Sequence, residues 1–449
     1  QASGSELEGD ATYSVNFTPN GEYLAAVNAL SGTLTLFDVE LEEQVGIIPL
    51  GSAETYQVDF TSDSKYAVVA KRLEDRVAII DLETMEIVAD VPSGGSKPDQ
   101  VFVLPGDQYA YALNAGSPDR IGVIVLAGAN SYYQSSFNVG NMGISWINYG
   151  IRADLQFDQT GNYAFLSAPF DEAVQVIDLN AHTVISTMDV VGFPLQIAVG
   201  HETTLGTFSA VTLRNSDGIA IINGIGPSAS NIGSFSFGEA PTQIAYDAVN
   251  EGFVVLSNTD KSIQTYSLAA LDFVDQVVYP DHTPIGVEVA ADGRKFVLLR
   301  SGDVEVAPHY LQIDTAFHEL PAAPIQHIGI NAAGTLAAVA FPGTDQVLLF
   351  KDDAVSGWTG KVLNTAAKAY QLVGNPIATE VLLQPVGGGF ATPTELRIRN
   401  AAGQEVFRQN VAPGETLRFV RPADWTGGFY FYTFEAAGKC LESGKIVVP

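Results

Sequence analysis

Five glutamines, Gln57, Gln100, Gln196, Gln243 and Gln326, recur at equivalent points of a pattern repeated along the 449-residue chain. Several follow a proline two residues upstream, as with Pro98, Pro194, Pro241 and Pro324. Asp154, Ser14 and Gly286, the last behind Pro284, complete the set. A primary amide both donates and accepts hydrogen bonds. Such groups converging on one axis would suit a polar ligand or ion, such as a sugar or a carbonyl-rich molecule. They would equally serve to satisfy neighbouring strand ends and bound water, the plain structural role. His327, beside the last amide, joins this candidate set.

A second candidate is aromatic. The stretch 127–152 is the longest excursion from the repeat and carries Tyr132, Tyr133, Phe137, Met142, Trp146 and Tyr149 among Gly, Ser and Asn. Long loops on rigid scaffolds often carry binding function, and exposed rings offer a platform for a sugar or a protein face. The competing reading makes the stretch an outer strand plus a plug packed on its neighbour.

Catalytic and metal-binding patterns do not emerge. The histidines His182, His201, His282, His309, His318 and His327 are scattered without metal-ligand spacing. A Gly-x-Ser-x-Gly elbow, a phosphate loop and a paired-cysteine motif are all missing. Acidic residues such as Asp38, Asp81 and Asp178 follow predicted third strands, where they close hairpins, and no dense loop of oxygen ligands for calcium is visible. The formal charge of −29 lies almost entirely before residue 365. Such a surface repels nucleic acid and anionic lipid and favours solubility. No apolar run is long enough for a membrane-spanning helix. The single cysteine, Cys440, excludes an internal disulfide. Gln1 in place of an initiator Met suggests the numbering of a mature chain after removal of a secretory signal.

What positions these residues is a repeat. The stretch Tyr13-Ser14-Val15-Asn16-Phe17-Thr18-Pro19-Asn20-Gly21 is echoed by Tyr56-Gln57-Val58-Asp59-Phe60-Thr61-Ser62-Asp63-Ser64. Each continues into three further short alternating strands joined by tight polar turns, which predicts a four-stranded antiparallel sheet. Equivalent units begin near Gln100, Asp154, Gln196, Gln243, Gly286 and Gln326. A single sheet cannot bury both faces, whereas sheets stacked radially can, which gives a β-propeller. Eight blades are favoured over seven. The eighth unit lacks an evident fourth strand, which residues 2–7 would supply from the amino terminus, with Gly360-Lys361-Val362-Leu363 as the competing source. The repeat resembles the YVTN-type propellers of bacterial and archaeal surface proteins.

Residues 370–449 read as a small β-sandwich, joined through a polar, small-residue linker at 354–369 to a propeller at 1–353. Leu396, Ile398, Val406 and the Phe429/Phe431 pair are expected to face its core, with Tyr430 and Tyr432 on the alternate face. The segment holds, in order, Asn375-Pro376, a hairpin around Ala402-Gly403-Gln404-Glu405-Val406, Gly427-Gly428-Phe429-Tyr430-Phe431-Tyr432 and Ser443-Gly444-Lys445-Ile446-Val447-Val448. It resembles the C-terminal sorting domain of type IX secretion cargo, the Por secretion family of Bacteroidota. The resemblance implies a secretion signal carried by Gly428, Tyr430, Tyr432, Gly444, Lys445, Ile446 and Val447. It also implies recognition by the outer-membrane translocon and its shuttle protein, with export through the periplasm to the cell surface. Cys440 and the terminal proline depart from that pattern.

The expected protein is therefore all-β: a propeller followed by a sandwich, displayed outside the cell as a non-catalytic binding or structural module without a cofactor. Its partners would be the secretion machinery and a surface glycan or another surface protein. One alternative is a propeller-scaffold enzyme, lactonase-like or glycan-active, with its site in the central channel. Another is a scaffold subunit of a surface assembly.

Overall fold

The computed structural model describes residues 12–51, 54–116, 118–142, 153–204, 206–301, 309–313, 316–320, 327–341, 346–353, 357–364, 370–373, 379–385, 393–400, 404–422, 425–436 and 439–448. Between residues 12 and 364 the described strands form eight four-stranded antiparallel sheets in chain order. The alternation seen in the sequence sets each sheet locally. In the first, Thr12–Phe17, Tyr23–Asn28, Thr33–Asp38 and Glu43–Pro49 pair in succession through short turns.

The first turn of each unit is built by its polar residues. Thr18 Oγ1 donates to Asn20 and accepts from Tyr23 N, and Thr61 repeats this with Asp63 and Tyr66 N. The turn then needs a residue with positive φ. Gly21 and Gly161 supply it without steric cost, whereas Ser64 and Asp107 adopt it as L residues. A second regularity was invisible in the sequence. Six sheets carry a register shift at the same place in the outer pair, between Leu36/Phe37, Ile79/Ile80, Val123/Ile124, Val176/Ile177, Ile221/Ile222 and Thr265/Tyr266. A bulge there adds twist to the outer strand, so successive sheets can fan outward.

The apolar faces are buried between neighbouring sheets. Leu34 and Leu36 of the first sheet share a core with Val69 and Ile80 of the second, and the same arrangement continues from sheet to sheet. The last of these cores joins Val15, Leu24 and Phe37 to Ala338, Val347 and Leu349, so the eighth sheet packs on the first and the arrangement is cyclic.

The fourth strand of the eighth sheet is Gly357–Asn364, paired with Gln346–Asp353. It lies inside the stretch expected as a linker and corresponds to the competing source named above, not to the amino terminus. Residues 1–11, which include the favoured 2–7 segment, lie outside the described residues. The local signal was weak because Gly357 and Gly360 interrupt the strand pattern, and pairing with the long preceding strand overrides that local preference.

Beyond residue 370 the described strands make a three-stranded sheet and a four-stranded sheet that share one core. Val381 and Leu383 of the first face Leu396, Ile398, Tyr430, Tyr432 and Phe434 of the second. The expected face of the aromatic strand is therefore corrected: Tyr430 and Tyr432 point inward, 5% and 2% exposed. Tyr430 stacks on Trp425 at 4.4 Å and sends its hydroxyl to the Thr426 carbonyl at 3.1 Å, which lets a phenol be buried with its polar tip satisfied.

Candidate functional site

The inner strands bring the repeated polar position to the axis of the ring, and four of the side chains there reach the next sheet. Asp154 Oδ2 accepts from Ile197 N at 2.9 Å, Gln196 Oε1 from Ile244 N at 3.3 Å and Gln243 Oε1 from Val287 N at 2.9 Å. His327 Nδ1 accepts from Val15 N at 3.5 Å across the closure. In every case the donor follows directly after the equivalent position of the next unit. This fixes the register: His327, paired with Ala340, occupies the repeated position in the eighth sheet. Gln326 was expected there and lies outside the described residues. The error came from aligning residue types; the distance to the positive-φ turn residue, Gly334 in this unit, is what sets the phase.

Gln57 and Gln100 occupy the same position in the second and third units, and their Oε1 atoms are buried without a hydrogen-bond partner. In the second unit the link to the next sheet is made two residues later, where Asp59 Oδ2 accepts from Val103 N at 2.7 Å. Burial, only partly offset by the Val103 and Phe60 amides, pushes the Asp59 carboxyl up to about 6, and Asp107 adds to the rise.

Asp154, Gln196, Gln243 and His327 come together on one cavity of about 330 Å³; Gln57 and Gln100 do not line it. Its wall adds Gln156, Tyr246 and Glu288, none of which had been singled out. Glu288 was legible. It stands two residues beyond Gly286 on the strand His282–Val289, and period-two alternation returns it to the channel face. The Asp154 carboxylate is well held: besides Ile197 N, it accepts from Gln156 Nε2 at 3.2 Å, and burial still raises its pKa. Glu288 differs. It is half-buried, borders the cavity, and meets no hydrogen-bond donor among the described residues. Burial first, and the charge of Asp154 second, push its carboxyl up to about 7.

Among the described residues, no group of three or more His, Cys, Asp or Glu is arranged to hold a metal ion. The cavity can therefore bind by amide hydrogen bonds and negative charge, and its one unengaged carboxyl can take up or give off a proton near neutrality.

The aromatic candidate divides. Tyr132 and Tyr133 belong to the outer strand Tyr132–Asn138 of the third sheet. Tyr132 is 52% exposed, while the ring of Tyr133 lies over Gly94 so closely that a Cβ there would meet it at 2.5 Å. Trp146 and Tyr149 lie outside the described residues. The candidate secretion residues fall on one hairpin: Tyr430 pairs with Ile446, Tyr432 with Gly444, Phe431 with Lys445, Phe429 with Val447 and Gly428 with Val448. No helix among the described residues is long and apolar enough to cross a membrane.

No protein-family model matches the chain, and no curated protein matches it. Solved structures do. The C-terminal WD40 domain of Sif2 superposes with a TM-score of 0.56 at 11% identity, over 80% of this chain and 96% of that one. The dihydro-heme d1 dehydrogenase NirN, in complex with DHE, superposes with a TM-score of 0.59 at 12% identity, over 77% of this chain and 74% of that one. Identities this low carry the fold alone, and the shared fold is the β-propeller.

Proposed function

We propose that the chain is an eight-bladed β-propeller followed by a small β-sandwich, and that it acts outside the cell as a non-catalytic binding module. The observation that carries this reading is the channel cavity. Asp154, Gln196 and Gln243 line it while anchored to the next sheet's backbone. A wall held in this way is preorganised for a polar ligand. The blade count is supported by the eight sheets and by the core that joins the last to the first.

In this reading the C-terminal unit directs export through a type IX secretion system, with its translocon and shuttle protein as partners. Support comes from the hairpin that aligns the Gly428–Tyr432 motif with the Gly444–Val448 motif. Deleting residues 370–449 should trap the propeller in the periplasm; normal surface display of the truncated chain would overturn the export reading. For the binding role, thermal-shift screening of the full chain against a glycan and metabolite panel should give hits that Gln243→Leu abolishes. Hits indifferent to that change would move the site away from the channel.

A second reading, a channel enzyme of the lactonase-like or glycan-active kind, draws on Glu288, whose pKa near 7 suits a general acid or base. It requires turnover that Glu288→Gln removes, with binding retained.

A further inference from the structure

The wall of the channel cavity holds two acids, Asp154 and Glu288, three amides, Gln156, Gln196 and Gln243, one imidazole, His327, and one phenol, Tyr246. Neither lysine nor arginine is among these lining residues. Removing a carboxylate from water without a counter-charge costs several kcal/mol, roughly, so proteins pair such groups or protonate them. Asp154 is compensated by the Ile197 amide and the Gln156 side chain. Glu288 has no such partner and borders open space. Whatever enters that space meets one uncompensated acid.

The size of the cavity narrows the entrant. At about 330 Å³ it exceeds the share of one water in the liquid, ~30 Å³, roughly tenfold. A hard metal ion would need six to eight oxygen ligands at short range, roughly, and no metal-ligating cluster exists among the described residues. An organic cation fits better. Its charged group needs two or three acceptors, and the rest of the molecule can occupy the amide-lined remainder. Gln196 and Gln243 each present a carbonyl oxygen with a second lone pair beyond the backbone bond it already accepts. The chain's charge of −29 favours entry of cations over anions.

We propose that the channel cavity binds a small primary ammonium compound, with Glu288 as its counter-ion and the Gln196 and Gln243 amides as its hydrogen-bonding wall. This deepens the binding reading above and rests on the channel being the site. Binding an ammonium group favours the ionised form of Glu288. Complex formation therefore releases a proton at pH 6, and affinity rises as pH climbs toward 7 and levels off above it. The other titratable groups on the cavity, Asp154, His327 and Tyr246, surround the same space, so the proton must be assigned by substitution.

The test is calorimetry on the full chain with matched probes: glucosamine against glucose, and 1,4-diaminobutane against 1,4-butanediol. The amine of at least one pair should bind, its neutral partner at least tenfold more weakly. For 1,4-diaminobutane, whose amines stay protonated across this range, affinity should increase about tenfold from pH 6 to pH 8, at one log unit per pH unit below the pKa of the linked group. The heat at pH 6 should vary with the ionisation enthalpy of the buffer. Glu288→Gln should remove the preference for the amine and the buffer dependence, with the melting temperature confirming a folded variant. Equal binding of amine and neutral partner would overturn the ammonium proposal and leave the channel as a binding site. Absence of binding by every probe would overturn both. Calcium serves as a control, and a calcium heat that depends on Glu288 would mark a metal site and overturn the proposal.

Discussion

Val15 and His327 lie 312 residues apart in sequence and meet at the closure of the ring, where the Val15 amide donates to His327 Nδ1 at 3.5 Å. The corresponding bonds to Asp154 and Gln243 are 2.9 Å long. A hydrogen bond weakens as it lengthens past about 3.2 Å. The bond across the closure is therefore the weakest of the four such links, and the Val15 amide should be the least protected of their donors. Native-state hydrogen exchange should show Val15 N exchanging at least tenfold faster than Ile197 N and Val287 N. Equal protection at the three amides would contradict a weak seam.

The same junction depends on a residue without a side chain. A Cβ on Gly329 would stand 2.5 Å from the Val15 carbonyl oxygen, a backbone atom that cannot rotate away. Gly329→Ala should destabilise the ring by about 1–3 kcal/mol, the usual cost of overpacking. Urea denaturation should register this as a lower midpoint with unchanged slope.

Glu288 makes stability depend on pH in a direction opposite to that of an ordinary salt-bridged acid. Its folded pKa, about 7, lies above the 4.5 of the free side chain. The folded state therefore holds a proton that the unfolded state has lost, and the associated stability is present below pH 4.5 and lost as pH rises through 7. Glu288→Gln keeps the neutral shape and removes the titration. The variant should match the parent near pH 4 and exceed it by roughly 3 kcal/mol at pH 8. Chemical denaturation of both proteins across that range measures the difference, and a constant offset would refute the shift.

Arg72 binds Asp99 at 2.5 Å and Glu54 at 2.5 Å, and the Asp99 side chain is fully buried. Asp99→Ala would strand part of the guanidinium charge beside an apolar gap. Breaking a buried pair from one side costs about 3–5 kcal/mol, and the retained Glu54 should hold the loss near the lower figure. Adding Glu54→Ala should give a double-mutant coupling well above zero; simple additivity would show that the three groups do not act together.

The four-stranded unit was readable because each hairpin is encoded within a few residues: Thr18 to Tyr23 in one unit, Thr61 to Tyr66 in the next. What depends on distant partners was not. Gly357–Asn364 becomes a strand only because Gln346–Asp353 offers it an edge. The inward turn of Tyr430 and Tyr432 depends on Trp425 and on the facing sheet, since an alternating aromatic run carries no mark of which face is buried. The amide positions were recognised by residue type, which misassigned the eighth unit and passed over Glu288. Its channel-facing place follows from strand parity, while its chemistry follows from the donors its neighbours fail to provide.

Gly286 occupies the repeated axial position in the seventh unit and has no side chain with which to reach the eighth. The cavity opens beside it, bordered by Gly286, Ile328 and His327. Binding space in this ring thus arises by subtraction. The seventh unit withdraws the side chain that the other units place there, and that asymmetry makes one sector of a rotationally repetitive body unlike the rest.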